Sequence, residues 1–146
     1  MKTLRTRIFA PDVNGPMTNL ALLVLRVWLG VALLFNHGWA KFANFKETAQ
    51  HFPDLLGIGS TGNLALAVFA EVVCSALLIL GLVNRFAALV LTINMTVAFT
   101  MVHKMALSGS HSGELAFLYL AGFVTLLLAG PGRYSIDSYL FARPSK

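Results

Sequence analysis

The sequence predicts an all-α integral membrane protein: a four-helix bundle with both termini cytoplasmic and a short amphipathic surface helix between the first two spans. Three observations carry this prediction. Four long apolar runs succeed one another, and about 20 apolar residues suffice for a helix to cross a hydrocarbon core. Of the 146 residues, 57% are hydrophobic and only 12% charged, where a soluble domain carries about a quarter charged. The lysines and arginines gather at the ends of the runs, as juxtamembrane residues do. They form no basic stripe with interleaved aromatics, so the net charge of +5 implies membrane flanks and no nucleic-acid partner.

Residues 1–18 form a polar amino-terminal arm, turn-rich from Pro11 to Pro16. The apolar run after it is too long for a cleavable signal core, so the first span is expected to serve as its own insertion signal. Span 1 covers about residues 19–42, with Thr18 or Asn19 as its N-cap. In the 43–62 connection, Phe45, Ala49 and Phe52 recur at i, i+4 and i+7, the pattern of a helix lying on the membrane surface; Pro53 ends it. Span 2 covers about residues 63–82 and turns at Val83-Asn84-Arg85 into span 3, about residues 86–104. Ser108 to Gly113 is an exposed loop. Span 4 opens at Glu114 and stops at the helix terminator Gly130-Pro131-Gly132, covering about residues 114–130. Residues 133–146 are a basic cytoplasmic tail. The membrane bundle, residues 19–132, leaves no room for a separate soluble catalytic module.

Orientation rests on the positive charges. Lys2, Arg5, Arg7, Arg85, Arg133, Arg143 and Lys146 flank one side, and Lys41, Lys46 and Lys104 the other. The positive-inside rule places the richer side, with both termini, in the cytoplasm. The 43–62 connection and the His111 loop then face outward.

An ionisable group inside a span costs about 2.5–3.5 kcal/mol or more at mid-depth unless it is paired, and so marks a candidate site. Arg26, Gly30, Leu33, His37 and Lys41 are spaced by four, three, four and four residues and share one face of span 1. Lipid cannot satisfy such a stripe, so it must point into the bundle. Span 2 carries Glu71 on a face with Ala67, Cys74 and Leu78, where small residues permit close helix approach. Span 3 carries Asn94, placed by residue counting near the depth of Arg26. The expected network is an Arg26–Glu71 pair braced by Asn94. It has two readings: a lock on helix register, or a site that binds a polar head group entering from the lipid, with Glu71 or His37 exchanging protons. Cys74, the only cysteine, reads as a small apolar residue and leaves no intrachain disulfide or dithiol relay.

His37, Lys41, His51, His103, Lys104, His111 and Glu114 gather at the outer rim. No His-x-x-x-His or Glu-x-x-His pair lies within one helix, so no metal or haem is predicted. Glu114 either contacts a ligand or complements the dipole at the start of span 4. Lys41 and Lys104 either contact a ligand or snorkel to the interface.

Arg26, Gly30, the His37-Gly38 dipeptide with Lys41, Glu71, Leu80-Gly81-Leu82 followed by Arg85, Glu114, and the run Gly130-Pro131-Gly132-Arg133-Tyr134-Ser135-Ile136-Asp137 stand in a specific order and spacing. Together they resemble the DoxX family of small four-span bacterial membrane proteins, over roughly residues 20–140. The resemblance implies a multi-pass protein of the bacterial inner membrane. It implies a small subunit of a thiosulfate:quinone oxidoreductase or quinol oxidase complex, or of assemblies with superoxide dismutase and a sulfurtransferase that handle oxidative stress. Quinone is the implied cofactor, a membrane or redox protein the implied partner, and Arg26, His37, Lys41 and Glu71 the implied site.

Two functions compete. In the first, a quinone-like or lipid head group sits between spans 1 and 2 on His37, Lys41 or Arg26. In the second, the chain is a non-catalytic membrane anchor or assembly scaffold, consistent with the lack of any triad, phosphate loop or dinucleotide fingerprint. A transporter would require a homo-oligomer, and no span carries the mid-helix Gly/Pro break that exposes backbone to a substrate.

Overall fold

The computed structural model describes residues 15–141, and every regular element in that range is helical. The elements are α1 (Pro16–Ala43), α2 (Phe45–His51), α3 (Ser60–Leu80), α4 (Asn84–Val102), α5 (Glu114–Ala129) and α6 (Ile136–Phe141). The arm before residue 15 and the tail beyond residue 141, with Lys2, Arg5, Arg7, Arg143 and Lys146, lie outside the described residues.

α1 starts at Pro16 because proline fits the first helical position, where an N–H would have no partner. Gly15 is the N-cap, so neither Thr18 nor Asn19 has that role. Asn19 lies in the first turn, where its Nδ2 donates to the Gly15 carbonyl at 2.8 Å. α2 is the expected surface helix. Phe45, Thr48 and Ala49 are half-buried while Lys46, Glu47 and Gln50 are exposed. It ends at His51 because Pro53 forces Phe52 into an extended conformation.

The long helices run up and down, with α1 beside α3 and α5, and α4 beside the same two. α1, α3 and α4 have 28, 21 and 19 residues and are apolar enough to cross a membrane. α5 is equally apolar but has 16 residues, about 24 Å at 1.5 Å per residue. It packs mainly on α4, with Phe123 and Leu126 fully buried in one core cluster with Leu33, Leu78 and Leu91. Large apolar side chains such as Trp28, Ile93 and Leu128 face outward, as a lipid-immersed bundle requires. On α4 the hydroxyls of Thr92, Thr96 and Thr100 each donate to the carbonyl four residues earlier, at 2.7, 2.8 and 2.7 Å. That internal bond lets three polar groups sit on an apolar helix.

Three helices depart from α-geometry. π-helical turns occur at Leu34–Gly38 in α1, Phe69–Cys74 in α3 and Ala98–Val102 in α4. At the opposite end α3 turns sharply into α4. Gly81 takes a left-handed conformation (φ +67°), and an added Cβ would collide with Arg26 Nη1. Only glycine satisfies both demands.

Candidate functional site

The π-turns of α1 and α3 pack on each other, and each carries one ionisable group of the sequence stripe: His37 from the first, Glu71 from the second. Such turns insert an extra residue and are frequent at functional sites. Gly38 makes the approach possible, since a Cβ there would lie 2.8 Å from the Glu71 carbonyl oxygen. Contact that close brings Lys41, three residues further along α1, over the Glu71 carboxylate.

The Lys41 ammonium donates to both carboxylate oxygens, at 2.7 and 2.6 Å. Asn94 Nδ2 adds a long third contact at 3.5 Å. The Glu71 side chain is 7% exposed and that of Lys41 27%. The carboxylate is therefore sheltered and neutralised, while its partner stays in touch with the surroundings.

This pair sits in the wall of a cavity of about 640 Å³ in the half of the bundle remote from the termini. Its walls are mostly apolar. His37, Lys41, Glu71, Asn94, His103 and Tyr119 supply the polar groups. The His37 ring meets the Tyr119 ring edge-on, 6.1 Å between centroids, and Tyr119 stacks on Phe123 at 5.8 Å. Among the described residues, neither the His37 nitrogens nor the Tyr119 hydroxyl has a hydrogen-bond partner. Both can donate to or accept from a guest.

A loop roofs the far end. Asn63 is 6% exposed. Its Nδ2 donates to Asp54 Oδ1 at 2.6 Å and to the Gly59 carbonyl at 3.0 Å, and its Oδ1 accepts from the Leu56 N–H at 3.2 Å. These bonds hold Phe52, Pro53, Leu55 and Leu56 over the cavity.

The expected Arg26–Glu71 pair does not form. Arg26 lies beside Gly81, ten residues and about 15 Å along α3 from Glu71. Its guanidinium is 1% exposed and donates to the carbonyls of Pro131, at 2.9 Å, and Tyr134. It closes a hydrogen-bonded clasp at the terminal end. The Arg133 N–H donates to Asn19 Oδ1 at 2.7 Å. The Asp137 carboxylate accepts from the N–H groups of Val83 and Asn84, both at 2.8 Å, at the start of α4. Asn94 is likewise displaced from its expected depth: it stands beside Glu71, not Arg26. Arg26 therefore does not line the cavity.

Glu114 does not line it either. It is exposed at the first position of α5, where its N–H donates to Ser112 Oγ at 3.2 Å. The stripe itself does face inward, with Arg26, Gly30 and Leu33 buried and His37 and Lys41 partly so. His103 lines the cavity with its Nδ1 3.1 Å from the His111 carbonyl, whereas His51 and His111 are exposed. Among the described residues no three His, Cys, Asp or Glu side chains gather as a metal site. Tyr119 and Asn63 were not singled out by sequence. A tyrosine in an apolar run reads as core, and an asparagine at a span boundary reads as a cap.

The family model for DoxX matches residues 21–104. An uncharacterized protein of Haemophilus influenzae is 34% identical over 121 residues, covering 77% of this chain and 87% of its own length. An uncharacterized membrane protein of Mycobacterium tuberculosis is 31% identical over 144 residues, covering 84% of this chain and 83% of its own length. A second uncharacterized protein of Haemophilus influenzae is 30% identical over 136 residues, covering 88% of each chain. No solved structure matches the chain significantly.

Proposed function

Because this chain belongs to the DoxX family of membrane proteins, we propose that its bundle binds a quinone-like head group in the cavity beside Lys41 and Glu71, as a small subunit of a membrane oxidoreductase. The observation that carries this reading is a cavity with apolar walls and a polar cluster at one place, of which His37 and Tyr119 have no hydrogen-bond partner among the described residues. Its 640 Å³ falls within the roughly 300–1,000 Å³ of small-molecule sites.

The residues fit such a head group. A quinone ring presents two carbonyl acceptors on a flat apolar body. Lys41, Asn94, a protonated His37 nitrogen and the Tyr119 hydroxyl are donors, and the Tyr119 ring, backed by Phe123 in the core behind it, offers an aromatic surface. When bound, a quinone would supply two-electron, two-proton chemistry. The chain's own part is to orient the ring, exclude water, and hold a proton at Glu71 or His37. Cys74 is a lone buried thiol, so electrons would pass to or from a partner redox protein. The setting would be the bacterial inner membrane with both termini cytoplasmic, α5 completing the bundle as a short fourth span.

The test is thermal unfolding of purified protein with short-tailed ubiquinone and menaquinone analogues. At about a hundred times Kd the wild type should gain about 2.7 kcal/mol, read as a higher Tm. Glu71→Gln and His37→Ala should lose that gain, and absence of a shift with any quinone would refute the reading.

A further inference from the structure

The rim of the cavity says where its ligand comes from. Every polar residue in its wall is buried or half-buried: His37, Lys41, Asn63, Glu71, Asn94, His103, Ser112 and Tyr119. Every exposed residue in its wall is apolar, including Leu66 (51% exposed), Phe69 (41%) and Ile93 (55%). A mouth open to water would carry polar groups at its edge, because water solvates them and exposed apolar surface is costly there. A mouth open to hydrocarbon must not, because nothing in lipid satisfies them.

The packing places the opening. α3 and α4 are tied together at the tight turn beside Gly81 and diverge towards the far end. There Ser60–Val68 packs on α2 and on the end of α1, and hardly on α4. Leu66 and Phe69 of α3 and Ile93 of α4 frame the gap between the two helices. The aqueous route is roofed by Phe52, Pro53, Leu55 and Leu56, with Asn63 tied to Asp54 at 2.6 Å.

We propose that the cavity is a lateral site fed from the bilayer through the gap between α3 and α4. Its ligand is a membrane-dissolved amphiphile whose head reaches Lys41, Glu71 and Tyr119 while its chain trails past Leu66, Phe69 and Ile93 into the lipid. This inference rests on the reading of the cavity as a binding site, but it does not require the ligand to be a quinone. Leu66 and Ile93 become the determinants of access, selecting for a slender apolar chain.

The experiment uses the full chain in proteoliposomes with two carbene photolabels, an aryl diazirine that partitions into hydrocarbon and a charged diazirine confined to water. The hydrocarbon label should modify Tyr119, Ala116 and Met95, which line the cavity and are buried from the outer surface of the bundle. The double substitution Leu66→Trp, Ile93→Trp should lower that labelling by about tenfold and leave the outward-facing Trp28 labelled as before. Leu66→Ala, Ile93→Ala should keep or raise it, which separates blockage from misfolding. Modification of Tyr119 by the aqueous label alone, or labelling indifferent to bulk at positions 66 and 93, overturns the lateral route. The quinone reading would still stand or fall on its own Tm shift.

Discussion

Removing Lys41 and Glu71 singly and together separates the two roles open to this pair. The Glu71 carboxylate is 7% exposed and takes two bonds from one ammonium, at 2.7 and 2.6 Å, with Asn94 only at 3.5 Å. Lys41→Met would leave a sheltered anion with one long contact. A fully buried pair broken this way loses about 3–5 kcal/mol. Because Lys41 is 27% exposed, the pair is not fully enclosed and the lower end, about 3 kcal/mol, is the expected cost. Glu71→Gln removes the anion and leaves a neutral amide that still accepts from the half-buried Lys41, at about 1 kcal/mol. The double variant has no charge to shelter, and replacing both partners is often neutral. Its stability should return to within about 1 kcal/mol of wild type, a coupling of about 3 kcal/mol. Thermal or denaturant unfolding in one detergent measures all four proteins. Additive losses would refute the geometry. If the pair is only a register lock, the double variant recovers every property. If it belongs to a binding site, the double variant recovers stability and still fails to respond to a quinone.

Two further outcomes concern the terminal end. Arg26→Lys should destabilise nearly as much as Arg26→Ala, by about 2–4 kcal/mol, because the carbonyls of Pro131 and Tyr134 lose charge-assisted donors and a compact ammonium cannot reproduce the guanidinium fork; any quinone-induced Tm shift should survive in the Lys variant. Gly81→Ala should cost about 2 kcal/mol or more, since it combines a left-handed conformation with a Cβ clash against Arg26, and Arg26→Ala in the same chain should relieve part of that loss. Equal unfolding curves for wild type and either single variant would contradict the clasp.

Much of the bundle was legible in the sequence because lipid imposes simple rules. Apolar runs give the helices, and the inward stripe on α1 stems from the intolerance of hydrocarbon for Arg26, His37 and Lys41. The pairing was not legible, for two physical reasons. Depth along an ideal helix depends on where the helix starts and on an unbroken α-geometry, whereas α1 begins at Pro16 and both α1 and α3 carry a π-turn that adds a residue and rotates the rest of the helix beyond it. Nothing in Phe69–Cys74 or Leu34–Gly38 announces such a turn. The acceptors of Arg26 are backbone carbonyls of residues 131 and 134, and a carbonyl has no side-chain signature. Sequence logic pairs an arginine in one span with the carboxylate inside the next, whereas the fold gives Glu71 to Lys41.

The same contrast explains why the site lies where it does. At the terminal end Asn19, Arg26 and Asp137 bind backbone groups contributed by residues distant in sequence, and an added Cβ at Gly81 would collide with Arg26. Opening the bundle there would strip several buried donors and acceptors at once, each costing about 1–3 kcal/mol. At the far end one partly exposed ion pair ties α1 to α3, a loop is pinned through Asn63, and Ser60–Val68 leans on α2 more than on α4. Separating α3 from α4 there breaks apolar contacts that a lipid-like chain can replace. A closed clasp below and a replaceable seam above allow one half of the bundle to admit a guest while the other preserves the fold. Backbone hydrogen exchange should therefore be faster over Ser60–Val68 than over the α3–α4 turn; equal protection in the two segments would mean that the seam does not open and that the cavity is a fixed packing defect.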